Sequence, residues 1–334
     1  MRKIMNAPKE FVDDFLGGLL KAYPNDFRAV RGSSRALTRV EPPGVDPKVA
    51  IVTGGGSGHL PLFLGYVGQG LCSAVAVGNT FSSPSADAIL AATRASERGK
   101  GVLFLYGNYS GDGINFDDAA DMASDDDIET VTVRAADDVA SAPPAASGTR
   151  RGVAGLTLAY KCAGAAAAAD YTLSETAKVA ARSLANTRTM GVGLSPTIIP
   201  EAGRPTFQLS EGEMELGIGI HGEPGIRREE MRDANRIADL LLDGVLAELE
   251  LTASSRVAVL VNSLGATPEE ELYIVYGRVA DRLAANGVTV HRTLVGRYAT
   301  SLEMAGCSLS VIALDDELTS LLDSQSYSPL LRLF

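Results

Sequence analysis

Short runs of valine, leucine and alanine alternate along this chain with segments of helical spacing, and several of those runs end in glycine-rich turns. The runs at 49–53, 73–77, 101–105 and 128–133 are too short for helices and lack a polar face, so they predict strands covered on both sides. Helical spacing separates or precedes them at 11–22, where Phe11, Phe15 and Leu19 fall four apart, and at 84–97 and 116–123. Strands alternating with helices predict a parallel or mixed α/β sheet. An alanine-rich segment at 153–169 reads as a buried helix and 173–187 as another, leading to a strand at 190–194. Pro196, Pro200 and Pro205 then interrupt regular structure. A second set follows: strand 214–220, helix 228–249, strand 256–261, helix 268–285, and strands 288–295 and 307–314. A length of 334 residues allows two domains, and the change of pattern puts them at 1–185 and 186–334. The expected fold class is therefore two α/β domains with mixed or parallel sheets. A small-molecule site is expected at the glycine-rich turns, because open α/β sheets bind ligands beyond the carboxyl ends of their strands.

Charge and cysteine usage narrow the partners. A net charge of −11 argues against a nucleic acid as a direct partner, since phosphate backbones need a basic face. No run approaches the ~18 apolar residues of a membrane span. The opening Met-Arg-Lys-Ile-Met-Asn-Ala-Pro-Lys-Glu has no apolar core of a signal peptide, so a cytoplasmic protein is expected. Cys72, Cys162 and Cys307 lie far apart with no metal-ligand spacing, and read as reduced, mostly buried thiols. Asp125-Asp126-Asp127 reads as a solvated loop, because three successive carboxylates point different ways.

Three turns carry residues suited to chemistry. Gly54-Gly55-Gly56-Ser57-Gly58-His59 lacks the third glycine of a dinucleotide fingerprint, and no Gly-x-x-x-x-Gly-Lys-Ser/Thr loop occurs anywhere. His59 there is either a proton carrier or an incidental residue of a tight turn. Asp112, in Asn108-Tyr109-Ser110-Gly111-Asp112 after the strand at 101–105, is either a general base or a helix cap. His221, in Gly217-Ile218-Gly219-Ile220-His221-Gly222-Glu223-Pro224-Gly225, is either a nucleophile oriented by Glu223 or a packing residue. His291 reads as an ordinary strand residue, and the turn from Asn262 to Pro268 as either a site lining or a helix cap.

Taken together, the turns resemble the substrate-binding, K-type subunit of dihydroxyacetone kinases. The resemblance runs through Met-Arg-Lys-Ile-Met-Asn, the His59 turn, Tyr66-Val67-Gly68-Gln69-Gly70, Asn-Tyr-Ser-Gly-Asp, Arg150-Arg151-Gly152-Val153-Ala154, Pro200 to Pro205, the His221 turn and Asn262 to Pro268. It implies a homodimer that holds a short ketose covalently, as a hemiaminal on His221. It implies that His59 and Asp112 handle the hydroxyl that becomes phosphorylated, with Gly56, Ser57, Gly58, Gly107, Asn108 and Glu223 around the substrate. It further implies no cofactor on this chain, Mg-ATP or ADP being carried by a separate L-type partner subunit. Three positions depart from the family pattern: Leu60, Asn79 and Gly107 stand where charged residues are usual. Loss of a lysine at Gly107 is expected to open volume for a larger ketose, such as erythrulose. A ketose sensor regulating transcription is a second reading. A nucleotide-dependent dehydrogenase lacks its glycine fingerprint.

Overall fold

A computed structural model describes residues 3–41 and 44–331. After helix α1 (Phe11–Ala22) come strands β1 (Phe27–Ala29), β2 (Ala36–Arg39), β3 (Ala50–Ser57) and β4 (Ala74–Thr80), then α2 (Ala86–Ser96), β5 (Val102–Gly107), α3 (Ser110–Ser124) and β6 (Thr130–Ala135). These strands form one sheet in the order β1-β2-β4-β3-β5-β6. Strands β4, β3, β5 and β6 run parallel, and β2 joins them antiparallel to β4. Helices α4 (Leu156–Ala168) and α5 (Leu173–Ala185) lead into the second set: β7 (Thr187–Ser195), β8 (Glu213–Leu216), β9 (Arg227–Glu230), α6 (Ala234–Leu246), β10 (Arg256–Ser263), α7 (Glu269–Ala285), β11 (Thr289–Gly296), β12 (Ala305–Leu314) and α8 (Asp316–Asp323). The second sheet has the order β11-β10-β12-β7-β8-β9, and within it only β10 and β11 pair in parallel.

Side-chain alternation along the strands sorts these elements into layers. Val52, Ala76 and Phe104 face α2 and α3, meeting Ile89 and Phe116. Ile51, Val75, Leu103 and Leu105 point the other way, into a cluster with α4 and α5 that also takes in Ala258, Leu260 and Ile312 of the second sheet. Val257, Val259, Val261, Leu309 and Val311 on the far side of that sheet pack against α6 and α7. The alanine-rich α4 thus lies between the two sheets, and Leu156 to Ala167 are all buried. Its small side chains permit close approach: a Cβ on Gly164 would lie 2.4 Å from the Gly70 carbonyl oxygen.

Several expectations need correction. The helix expected at 228–249 begins only at Ala234, where Asp233 accepts a hydrogen bond from the Arg236 amide at 2.8 Å. Its first part is the edge strand β9, because the charged run Arg227-Arg228-Glu229-Glu230 has no apolar face to bury as a helix and pairs instead with β8. The strand expected at 214–220 stops at Leu216, since Gly217 turns the chain with φ +78°. The helix expected at 116–123 starts six residues earlier, at Ser110. Cys72, Cys162 and Cys307 are buried and unpaired. Among the described residues, no helix is long and apolar enough to cross a membrane.

Candidate active site

β3 runs through its glycines before releasing the chain at Gly58. A Cβ on Gly56 would lie 2.6 Å from the Ser82 amide nitrogen and 2.8 Å from the Phe81 Cα, so the missing side chain is what lets the 80–82 loop press on this strand. The Ser57 carbonyl accepts the Phe81 amide at 3.0 Å. Phe81, held at φ +56°, stacks its ring on His59 with centroids 4.8 Å apart and planes 13° apart. A positive φ is costly for an aromatic residue, and such strain concentrates at functional sites.

His59 is 1% exposed, and its Nδ1 lies 2.7 Å from the Thr300 carbonyl oxygen. A carbonyl only accepts, so Nδ1 carries the proton and Nε2 presents a lone pair. That Nε2 is buried without a partner among the described residues. Burial, with the nearby His221, pushes the His59 pKa down to about 3. With Nδ1 donating to the carbonyl and the ring neutral, His59 offers Nε2 as a hydrogen-bond acceptor at neutral pH. The same turn is tied to the second half: the Gly58 carbonyl accepts the Leu302 amide at 2.8 Å, and the Leu60 carbonyl the Thr300 hydroxyl at 2.8 Å.

His221 enters from the second sheet. The turn after β8 brings its ring edge-on to His59 at 4.8 Å, to Phe81 at 5.2 Å and to Tyr109 at 4.9 Å. Its Nδ1 lies 2.6 Å from Glu223 Oε1, and its backbone amide donates to Oε2 of the same carboxylate. Burial raises the Glu223 pKa, but the hydrogen bond and charge of His221, with Arg151, outweigh it and hold the carboxyl below its usual range. In the neutral ring, an ionised carboxylate on Nδ1 keeps the one proton there and leaves Nε2 with the lone pair. That is the form in which imidazole attacks an electrophile.

Asp112 lies in the first turn of α3, yet it caps nothing. The N-cap position is Tyr109, with no side-chain cap bond. Asp112 is 5% exposed and its Oδ1 is buried without a partner among the described residues. Burial raises its pKa to about 6, opposed by the Ser83 hydroxyl and by His221. The Tyr109 hydroxyl is a third buried, unpartnered polar atom in this region. Buried polar groups are normally satisfied, so three orphans around one imidazole are what an absent polar ligand leaves behind.

The other expected residues have mixed placements. Gly56, Ser57 and Gly58 shape the wall on which Phe81 and His59 sit. Asn108 donates to the carbonyls of Gly148 at 3.1 Å and Arg150 at 2.8 Å, bracing the loop that leads to Arg151. A Cβ on Gly107 would lie 3.2 Å from the Tyr109 ring and 3.3 Å from the Gly152 carbonyl oxygen, so the bare backbone here lets both approach closely. Leu60 packs on the core and Asn79 is exposed. His291 is remote from this group and pairs with Asp323 at 2.9 Å. The turn from Asn262 does not cap α7. Asn262 Oδ1 accepts the Tyr298 and Ala299 amides, both at 2.9 Å, which positions the segment carrying Thr300. Sequence reasoning missed Phe81, Tyr109 and Arg151 as site residues. Tyr109 and Arg151 lay inside quoted motifs, but only their neighbours had drawn attention. Among the described residues, no group of three or more histidine, cysteine, aspartate or glutamate side chains could hold a metal ion.

The Dak1 domain model matches residues 17–330. The chain belongs to the Dak1 family. The dihydroxyacetone-binding subunit DhaK of a PTS-dependent dihydroxyacetone kinase from Listeria innocua is 43% identical, over 98% of each chain. D-erythrulose kinase from Mycolicibacterium smegmatis is also 43% identical, over 95% of this chain but only 54% of its own length. Among solved structures, the dihydroxyacetone kinase operon co-activator Dha-DhaQ superimposes with a TM-score of 0.86 at 31% identity, covering 94% of this chain and 96% of that one. The proteins that this chain resembles thus include ones named as kinases or kinase subunits and one named as an operon co-activator.

Proposed function

We propose that this chain is the ketose-binding subunit of a phosphotransferase and that it holds its substrate as a hemiaminal on His221. The observation that carries this reading is the 2.6 Å contact between His221 Nδ1 and the Glu223 carboxylate, which leaves Nε2 as the nucleophile. In the addition, the Nε2 lone pair forms a bond to the ketone carbon and the C=O π pair moves to oxygen. That oxygen takes up one proton as Nδ1 gives one up beside Glu223, so no net proton is consumed. The bond selects ketones over polyols and fixes a flexible substrate, and positioning of this kind can supply ~7–11 kcal/mol to a later step. His59 Nε2 would accept a hydrogen bond from a substrate hydroxyl, and Asp112 would take the proton of the hydroxyl to be phosphorylated. The phosphoryl group would come from a metal-bound nucleotide carried by an L-type partner subunit, acting on a cytoplasmic homodimer of this chain.

Dihydroxyacetone is the first substrate and a tetrulose the second. Relatives named for each are equally similar in identity, but the dihydroxyacetone-binding subunit matches this chain over 98% of its own length and the erythrulose kinase over only 54%. The likeness to a co-activator supports a sensor as the alternative, and Asp112 separates the two. A sensor has no use for an unpaired buried carboxylate beside the bound hydroxyl. Calorimetric titration with dihydroxyacetone and with erythrulose, His221→Ala alongside, tests the reading. The variant is expected to lose at least ~100-fold in affinity, about 2.7 kcal/mol. Binding within threefold of the parent would remove the covalent anchor.

A further inference from the structure

Arg151 touches neither His59 nor Asp112, yet it closes a chain that ends on the nucleophile. Its Nε and Nη2 donate to Asp138 Oδ2 at 2.9 and 2.8 Å, and Nη2 donates to the Gly217 carbonyl at 3.0 Å. Its Nη1 lies 3.9 Å from Glu223 Oε2, while the His221 ring meets the other oxygen, Oε1. Asp138 is 2% exposed and also accepts the Ala140 amide at 3.0 Å, so the arm is anchored on a rigid base. Gly219 makes room for it. A Cβ there would lie 2.1 Å from Glu223 Oε2 and 2.5 Å from Arg151 Nη1. The sequence of this turn has thus been cleared for a guanidinium and a carboxylate to meet behind the imidazole.

We infer that Arg151 is a positioning residue for His221: from the far oxygen of the Glu223 carboxylate it adds to the hold of His221 on that carboxylate, and so lowers the pH down to which the imidazole presents Nε2 to a ketone. This rests on the role proposed above for His221. The charged and titratable groups that face Glu223 are His221, Arg151, Tyr109 and the neutral His59. Of these, Arg151 carries a fixed positive charge at every working pH. Burial is the largest influence on Glu223 and pushes its proton affinity up. With Arg151 removed, burial would be less opposed, and the carboxyl would take up a proton at a higher pH than in the parent. A neutral Glu223 no longer holds the proton on Nδ1, so the Nε2 lone pair is no longer assured.

The test is ketose affinity as a function of pH, by calorimetry with dihydroxyacetone, for the parent, Arg151→Gln, Arg151→Lys and His221→Ala. Arg151→Gln is expected to bind within about threefold of the parent at pH 8 and at least tenfold more weakly at pH 5.5. Arg151→Lys, which restores the charge but not the fork, is expected to recover most of the loss at pH 5.5. The double variant Arg151→Gln/Asp138→Asn removes the buried carboxylate that the single variant leaves unpaired, and is expected to show the same shifted profile. A loss in Arg151→Gln equal at both pH values, or no loss at all, overturns the inference while leaving His221 in place. Ketose binding retained in His221→Ala overturns the anchor itself, whatever the Arg151 variants do.

Discussion

Asp112 shows at the scale of one residue how function and stability pull apart. Its carboxyl is buried with one oxygen unpartnered, and its pKa is raised from 3.8 to about 6. The native state therefore binds this proton more tightly than the unfolded chain does, so this group's contribution to stability falls as pH rises from about 4 to about 6 and stays low above that. Asn at this position keeps the shape and removes the charge. Asp112→Asn is expected to raise the unfolding free energy at pH 7 by about 1–3 kcal/mol, measured by urea denaturation, with little change at pH 4. The same variant is expected to bind ketose and to lose turnover with the partner subunit by ~100-fold or more, since a positioned base contributes about that much. An asparagine variant that turns over normally would take Asp112 out of the base role. In the parent, turnover should fall off below about pH 6 as Asp112 becomes protonated. His59 moves stability the other way. With its pKa lowered from 6.5 to about 3, it contributes stability that is complete above pH 6.5 and is lost as the pH falls toward 3.

At the scale of elements, the strands and helices were legible where packing follows periodicity, and misread where a local contact decides. The runs at 49–53 and 101–105 announced β3 and β5 because strands buried on both faces must be apolar throughout. β9 was hidden, since Arg227 to Glu230 make an edge strand through backbone pairing with β8 and carry no apolar pattern. β1 and β2 bury Phe27, Ala36 and Leu37, but at three and four residues, broken by Arg28 and Arg39, they are too short to show a period. The site was legible as three turns and as the histidines and carboxylates in them. The aromatic walls were not, because nothing in the local sequence shows that the Phe81 loop folds back onto Gly56. That fold-back makes a prediction about β3. Gly56→Ala would drive a methyl group into the Ser82 amide at 2.6 Å, a backbone contact that no side-chain rotation relieves. The variant is expected to lose about 1–3 kcal/mol in urea unfolding. It is also expected to weaken ketose binding, because Phe81 would leave its place on His59. Parent-like stability and affinity together would show that the loop yields freely.

At the scale of the whole molecule, the chain's two halves share their interior. The pattern change near residue 185 separates the strands of one sheet from those of the other, and on that basis we propose two α/β units. Yet α4 and α5 belong in packing to both, since the cluster that buries Ile51 and Leu103 continues into Leu260 and Ile312. A buried fork adds to this: Arg150, 1% exposed, reaches Glu248 at the end of α6 with contacts of 2.6 and 2.7 Å. The site itself needs both halves, because His59 and Asp112 come from one and His221 with Glu223 from the other. Chains of this size often unfold in steps, one unit at a time. Here neither sheet can lose its partner without exposing α4, so the parent is expected to unfold in one transition, followed by circular dichroism and by tyrosine fluorescence at the same denaturant midpoint. Removing Arg150 leaves Glu248, which is only part-buried and keeps Arg188 at 3.6 Å, so the cost comes mainly from the lost packing and hydrogen bonds of the buried guanidinium. Arg150→Leu is therefore expected to move that single midpoint down for both probes together. Two transitions in the parent would show that the sheets are independent. A variant that splits one transition into two would place the coupling in the Arg150 fork and leave the shared helical layer with the smaller part.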